Sequence, residues 1–339
     1  MNLLVTGATG FIGRYVTVAA LRQGFKIRAI VRSPEAAGLP WLNHPHVEVV
    51  TLDLQQTDAL QSALVGIDAV LHLAAVMSGS FEDQWQGTVL GTRSFIAALT
   101  AVPVAHVVAI SSFAVYDYLN LSPGTLITES TPLETNPKQR DGYTQTKLAQ
   151  EILMRQFAVE TQTPLTILRP GLVYGRDRLW NAYLGVNVRD RLWVCIGDRA
   201  ILPLLYVEHC ADAIVQALLS VPMRAQTVNL VDDALPTQVQ YRTALQQQIP
   251  NLPPCIPIPW AWLDYPARGL ASLPMAHRLP LPGILHPARS HARFKPFTYS
   301  NTRAKQILNW TPRFSLSEAL TRAGSADLLT LTESGEGVR

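Results

Sequence analysis

Asn2-Leu3-Leu4-Val5-Thr6-Gly7-Ala8-Thr9-Gly10-Phe11-Ile12-Gly13 is the stretch from which the rest of the chain is read. Leu3, Leu4 and Val5 make a short unbroken apolar run, the mark of a strand buried on both faces. Three glycines spaced G-x-x-G-x-x-G follow it. Residues 11–23 then carry apolar side chains at helical spacing and stop at Gly24. A strand, a glycine turn and a helix in that order can hold a dinucleotide. Residues without Cβ let backbone approach a diphosphate, and the helix start offers free N–H groups and a positive dipole end. A glycine triplet alone is weak evidence, but its place between strand and helix gives it meaning. Gly7, Thr9, Gly10, Phe11, Ile12 and Gly13 are therefore expected to bind a dinucleotide.

Outward from this turn the pattern repeats. Apolar runs predict strands at 26–31, 47–52, 69–73, 104–110 and 165–168. Amphipathic spacing predicts helices at 57–65, 84–100 and 142–161. Continuous apolar strands alternating with helices imply a parallel sheet covered on both faces, an α/β, Rossmann-like, doubly wound fold. The second half differs. Residues 171–201 are loop-rich, with aromatic residues among Arg and Asp. A helix is expected at 208–220 and a strand at 227–231. Residues 252–296 are dense in proline, and Pro253, Pro254, Pro257 and Pro259 are expected to exclude a regular helix there. Trp260, Trp262, Leu270, Leu273 and Met275 in that stretch read as exposed. Residues 1–170 are expected to form the NAD(P)-binding domain, with 206–231 and 299–310 returning to it. Residues 171–205 and 232–298 would form a smaller, discontinuous substrate region, and 324–339 a polar, frayed tail.

Composition narrows the classes. Of 339 residues, 48% are hydrophobic and only 16% charged, which favours a large buried core over disorder. Twenty glycines and 24 prolines show no repeating period. A formal net charge of +3 is too mild to imply nucleic acid or an anionic membrane surface. No apolar run reaches the ~18 residues of a spanning helix. Met1 and Asn2 run straight into the first strand, so no leader is expected. Cys195, Cys210 and Cys255 are odd in number and never spaced C-x-x-C; a disulfide framework or zinc ribbon is not expected, and a reducing, cytoplasmic setting is. The histidines show no H-x-x-x-H or H-E-x-x-H spacing, and His44 and His46 flank Pro45 in a polar turn. No metal site is expected.

The end of the second strand selects the cofactor. NAD sites place an acid there, about 20 residues past the turn, for the ribose 2′-hydroxyl. Val31-Arg32-Ser33 stands in that place. Arg32 can pair with a 2′-phosphate and Ser33 can donate to it, which favours NADP(H) over NAD(H), with Glu35 nearby weighing against. Asp53 and Leu54 would reach the adenine. Leu73, Ala74 and Ala75 are small or apolar residues where backbone would pass the cofactor.

Tyr143-Thr144-Gln145-Thr146-Lys147 sets a phenol and an ammonium four residues apart, on one helix face. A free phenol has a pKa of about 10, too high for easy proton exchange at neutral pH. An ammonium about 4 Å away contributes up to ~4 kcal/mol at an effective dielectric near 20, enough to lower that value before desolvation opposes it. Ser112 closes the fifth strand and can hydrogen-bond a substrate oxygen. The Y-x-x-x-K spacing is common by chance, and its position downstream of the glycine turn is what points to proton transfer by Ser112, Tyr143 and Lys147.

These motifs together resemble the extended short-chain dehydrogenase/reductase family, the NAD-dependent epimerase/dehydratase group. The resemblance runs through TGATGFIG (6–13), VLHLAA (70–75), ISSFAVY (110–116), YTQTK (143–147), LRPGLVYG (168–175), YVEHCADA (206–213) and YSNTRAKQILNWTP (299–312). It implies hydride transfer through a nicotinamide, with Lys147 also holding the nicotinamide ribose. It implies too a homodimer built on the helix of Tyr143. Ser111, Pro170, Gly171 and Val173, in two of these motifs, are expected beside the cofactor. The VRSP segment is most similar to the NADP(H)-using dihydroflavonol and cinnamoyl reductase branch, and the chain is also similar to the 3β-hydroxysteroid dehydrogenase-like branch.

There are departures. Thr88 stands where the family often has Asn, Asp117 where it has Gly, and Leu172 where sugar-nucleotide members have a phosphate-contacting Asn. Phe113-Ala114 replaces the Asp-Glu pair of the dehydratases, and neither residue can act as acid or base. Three readings follow. The first is an NADP(H)-dependent oxidoreductase acting on a small apolar carbonyl compound or secondary alcohol, capped by residues 256–285, a segment whose apolar residues fit plain core packing equally well. The second is a sugar-nucleotide epimerase that retains its NAD(H). The third is a non-catalytic dinucleotide-binding scaffold.

Overall fold

Leu3, Leu4 and Val5 lose all solvent exposure in the first strand, β1 (Asn2–Thr6), because it runs through the middle of a sheet. The chain is described from a computed structural model, which covers all residues except 34–38, 190, 198–199, 221–225, 250–251, 272–281, 326 and 330–339. Six further strands join β1: β2 (Lys26–Val31), β3 (Val47–Thr51), β4 (Ala69–His72), β5 (His106–Ile110), β6 (Leu165–Pro170) and β7 (Gln226–Leu230). Every pairing is parallel and the order is β7-β6-β5-β4-β1-β2-β3. Val5 lies between Ala29 of β2 and Leu71 of β4. The order reverses direction at β1 and β4, and the strand ends splay there to open a crevice.

Side-chain alternation builds a core on each face. Leu3 and Val5 pack with Tyr15 and Val16 of helix α1 (Phe11–Arg22) and with Cys210 and Ile214 from Val207–Leu219. Leu4 points the other way. It packs with Leu60 of helix α2 (Thr57–Leu64), Phe95 of α3 (Gly91–Ala101), and Met154 and Phe157 of α4 (Gly142–Thr161). The first turn of α4 is fixed by Asp141, whose side chain accepts from the Thr144 N–H at 2.9 Å. The helix expected over 84–100 is in fact compound. A short helix, Phe81–Gln84, runs through a π-helical stretch, Trp85–Leu90, into α3. The widened turn accompanies a tight approach: a Cβ on Gly87 would lie 2.4 Å from Val76 Cγ2.

Beyond the sheet, the chain forms a three-stranded sheet of Cys255–Ile258, Leu192–Ile196 and Val186–Val188, and pairs Leu172–Tyr174 with Leu204–Tyr206. Three expectations are corrected. A helix, Trp260–Ala271, starts immediately after Pro259 and continues through Pro266, so the proline run bars helix only up to its last member. Cys195 and Cys255 form a disulfide, with Cα atoms 6.2 Å apart. Their separation of 60 residues hides a neighbourhood created by the parallel pairing of Leu192–Ile196 with Cys255–Ile258. The tail is not frayed throughout, because Asp327, Leu328 and Leu329 are buried. Asp327 accepts from the Tyr15 hydroxyl at 2.5 Å and pairs with Arg176 at 2.9 Å. Trp262 is exposed as expected, at 72%, whereas Trp260 and Leu270 are half-buried; Leu273 and Met275 lie outside the described residues. Among the described residues no helix is long and apolar enough to cross a membrane.

Candidate active site

A cavity of about 660 Å³ opens along the carboxyl ends of β1, β2, β4, β5 and β6. Its first wall is the glycine turn. Gly7 has φ +74°, and a Cβ there would sit 2.8 Å from the Ala74 nitrogen. A Cβ on Gly13 would lie 2.1 Å from the Gly7 carbonyl oxygen. These two glycines thus bring strand, helix and the end of β4 together. Gly10 caps α1 without any side-chain hydrogen bond, which leaves the helix N–H groups facing the cavity. The residues suit a dinucleotide: the turn is a cradle that side chains would fill.

Gly7, Thr9, Gly10, Phe11, Ile12, Gly13, Arg32, Asp53, Leu54, Leu73, Ala74, Ala75, Ser111, Pro170, Gly171 and Val173 line this cavity together with Ser112, Tyr143 and Lys147. Ser33 does not line it, although its neighbour Arg32 does and is exposed there. Glu35 lies outside the described residues. The Asp53 carboxylate accepts from the Gln55 N–H at 2.8 Å, which orders the turn after β3. Ser111 reaches the cavity, but its hydroxyl is turned away and donates to Glu151.

The three residues expected to transfer protons converge differently from the expectation. Tyr143 is partly buried and hydrogen-bonds Ser112, whose Oγ also accepts from the Ala114 N–H at 3.1 Å. Burial pushes the phenol pKa up; the Ser112 bond only partly offsets it, and nearby Tyr183 and Asp141 add to the rise. Lys147 does not supply the lowering that the i, i+4 spacing predicts. Its ammonium donates to the Ile110 carbonyl at 2.5 Å and to Gln150, one turn along α4. Gln150 in turn donates to Thr92 Oγ1 at 2.9 Å and the Ala74 carbonyl at 3.1 Å, and meets His72 Nε2 at 3.1 Å. Burial lowers the Lys147 pKa to about 8, with Glu151 opposing, and burial followed by the Lys147 charge lowers that of His72 to about 3. Shared helix face is therefore not shared contact: backbone and amide acceptors compete for the ammonium.

Thr88 faces the end of β4, accepting from the Val76 N–H at 2.9 Å, so it holds the loop that carries Ala74 and Ala75. Asp117 accepts from the Leu119 N–H at 3.2 Å and Asn120 Nδ2 at 2.6 Å, closing a turn.

The far wall was largely missed. Arg140, Arg178, Trp180, Tyr183, Arg289 and Arg293 line it. No described residue of 256–285 does, and residues 272–281 of the expected apolar cap lie outside the described residues. Helix Trp260–Ala271 sits behind helix Pro287–Phe294, joined by His291 Nε2 and Asp264 Oδ1 at 2.5 Å. Among the described residues, six cations and two carboxylates line the cavity. Arg140 is paired with Glu134 at 3.1 Å, whereas Arg289 keeps a buried Nε without a hydrogen-bond partner among the described residues. The aromatic and basic residues of 171–201 were a visible signal for part of this wall. Arg289 and Arg293 had none.

A family model described as the NAD dependent epimerase/dehydratase family matches residues 3–230. The 4-hydroxy-2-methyl-3-oxo-4-farnesyl-3,4-dihydroquinoline-1-oxide ketoreductase of Stigmatella aurantiaca is 31% identical over 179 residues, 52% of this chain and 52% of its own. Cinnamoyl-CoA reductase 1 of Arabidopsis thaliana is 29% identical over 182 residues, 51% of this chain and 53% of its own. The chain thus spans about half the length of these curated relatives. Over almost the whole chain the fold is similar to that of UDP-glucuronic acid 4-epimerase from Bacillus cereus, solved in complex with NAD. The TM-score is 0.72 at 20% identity, covering 97% of this chain and 99% of the other.

Proposed function

Since the chain belongs to the NAD-dependent epimerase/dehydratase family, we propose that it is an NADP(H)-dependent oxidoreductase that interconverts a carbonyl group and a secondary alcohol. One observation carries this reading: the glycine turn and the Ser112, Tyr143 and Lys147 side chains line a single cavity. A bound nicotinamide supplies or accepts the hydride. Tyr143 delivers the proton to the carbonyl oxygen, and Ser112, already bonded to the phenol, orients that oxygen. Lys147 holds the cofactor ribose and is itself held by Ile110 and Gln150. Residues 1–170 with 206–231 and 299–310 carry the cofactor, and the segments between them the substrate.

The raised phenol pKa keeps Tyr143 protonated at neutral pH, which suits carbonyl reduction. The Lys147 ammonium loses its charge as pH rises through about 8. Reduction is therefore expected to hold below that value and to decline above it, measured as initial rates of NADPH oxidation against pH. A rate that climbs from pH 8 to 10 would contradict this use of Lys147.

Arg32 is assigned to the 2′-phosphate. Arg32→Ala is expected to weaken NADPH binding about 10- to 100-fold, the range for a lost charge-assisted contact, and NADH binding hardly at all. Fluorescence titration with both cofactors checks it, and equal losses would remove the assignment.

The cations on the far wall favour a second reading, a sugar-nucleotide epimerase with retained NAD(H); Leu172, which cannot contact a phosphate as Asn does, weighs against it. Turnover of UDP-sugars without added cofactor, by protein purified with bound NAD(H), would favour that reading over the first.

A further inference from the structure

We propose that Arg178 clamps the diphosphate of the bound dinucleotide from beside the glycine turn. The inference rests on the cavity being a dinucleotide site, as read above. It starts from a turn outside the central sheet that is built against α1. Residues 175–178 close on themselves: the Arg178 N–H donates to the Gly175 carbonyl at 3.0 Å, and Asp177 takes the left-handed conformation, φ +63°. Gly175 has no room for a side chain. A Cβ there would lie 2.6 Å from Val207 Cγ1 and 3.4 Å from Phe11 Cζ, so the turn rests directly on Phe11, the first residue of α1. Arg176 pins the turn from its other side by pairing with Asp327 at 2.9 Å, and Asp327 accepts from Tyr15, one helical turn into α1.

This bracing sets the direction of Arg178. Its guanidinium lies 4.8 Å over the Phe11 ring, at the mouth of the glycine turn, and lines the same cavity as Gly7, Gly10 and Ile12. Among the described residues no carboxylate pairs with it. The first turn of α1 holds one cation of its own, Arg14, and that side chain is spent on the Thr9 carbonyl at 3.1 Å and does not line the cavity. A helix start offers the equivalent of only about half a positive charge. A diphosphate brings two negative charges, and a planar guanidinium presents the paired donors that phosphate oxygens accept. Over the Phe11 ring, the guanidinium has no hydrogen-bond partner among the described residues and so has its N–H groups available for them.

The test is a titration of the full chain with NADP⁺, NAD⁺ and adenosine 2′-phosphate, read by calorimetry and by the fluorescence of Trp180, which lines the cavity two residues away. Arg178→Gln is expected to weaken NADP⁺ and NAD⁺ alike, about 10- to 100-fold, the span of one charge-assisted contact. Adenosine 2′-phosphate, which has no diphosphate, should bind the variant as it binds the wild type. Arg178→Lys should recover part of the loss, and the loss should shrink at 1 M salt, where charges are screened beyond ~3 Å. Variant affinity for NADP⁺ equal to that of the wild type would overturn the clamp alone. So would an equal loss for adenosine 2′-phosphate, which would move the contact to the adenosine end. A wild-type chain that binds neither dinucleotide would overturn the clamp and the proposed function together.

Discussion

Tyr143→Phe lowers carbonyl reduction by about 10²- to 10⁴-fold while leaving NADPH affinity within a factor of a few, because the variant keeps the ring and removes only the proton donor. Ser112 then loses the hydroxyl it bonds, but it retains the Ala114 N–H, so the wall does not collapse. Rates of NADPH oxidation and NADPH titrations on the same preparations check both halves of the expectation. Unchanged turnover would return the chain to the scaffold reading. Loss of binding together with turnover would mean that the phenol supports the cavity rather than the reaction.

Glu151→Leu is the largest stability change expected from one substitution. The Glu151 carboxylate is fully buried between Arg169, at 3.0 Å from its Nε, and Arg155 at 2.8 Å, and it also accepts from Ser111. Removing it leaves the Arg169 guanidinium, 2% exposed, with the Tyr116 hydroxyl at 2.9 Å and no carboxylate among the described residues. An uncompensated buried charge of this kind costs about 3–5 kcal/mol, to be read from the shift in denaturant midpoint. A change under 1 kcal/mol would show that the network is neutral in net energy. The same carboxyl predicts an acid limb. Burial pushes its pKa up, yet the bonds and charge of Arg169, with Ser111 and Arg155, hold it at about 2. The folded value lies below the usual carboxylate range, so this stabilisation is complete above about pH 5 and is lost as pH falls toward 2. The gap between wild type and Glu151→Leu should close over the same interval.

What could be read in advance was what local chemistry dictates. The glycine turn announces itself because Gly7 and Gly13 have no space for a Cβ. Helix α4 runs over the residues its pattern predicted because Asp141 caps it and buried positions recur along it. Contacts set by long-range packing were not legible. Arg289 and Arg293 reach the cavity only because helix Pro287–Phe294 is carried there near the end of a proline-rich segment. Cys195 and Cys255 meet through strand pairing that no spacing rule announces. Lys147 shows a subtler failure. Spacing sets it on the helix face of Tyr143 but does not rank competing acceptors, and Gln150 and the Ile110 carbonyl take the ammonium.

The central claim is that hydride and proton are exchanged with a substrate in the cavity where the glycine turn meets Tyr143. Its most direct test follows the absorbance of the reduced nicotinamide while the full chain is offered a panel of ketones, aldehydes and secondary alcohols with NADPH or NADP⁺. At least one carbonyl compound should drive NADPH oxidation, with its alcohol driving the reverse, and neither should do so in Tyr143→Phe. No absorbance change with any member of the panel, by a protein that turns over UDP-sugars without added cofactor, would contradict it.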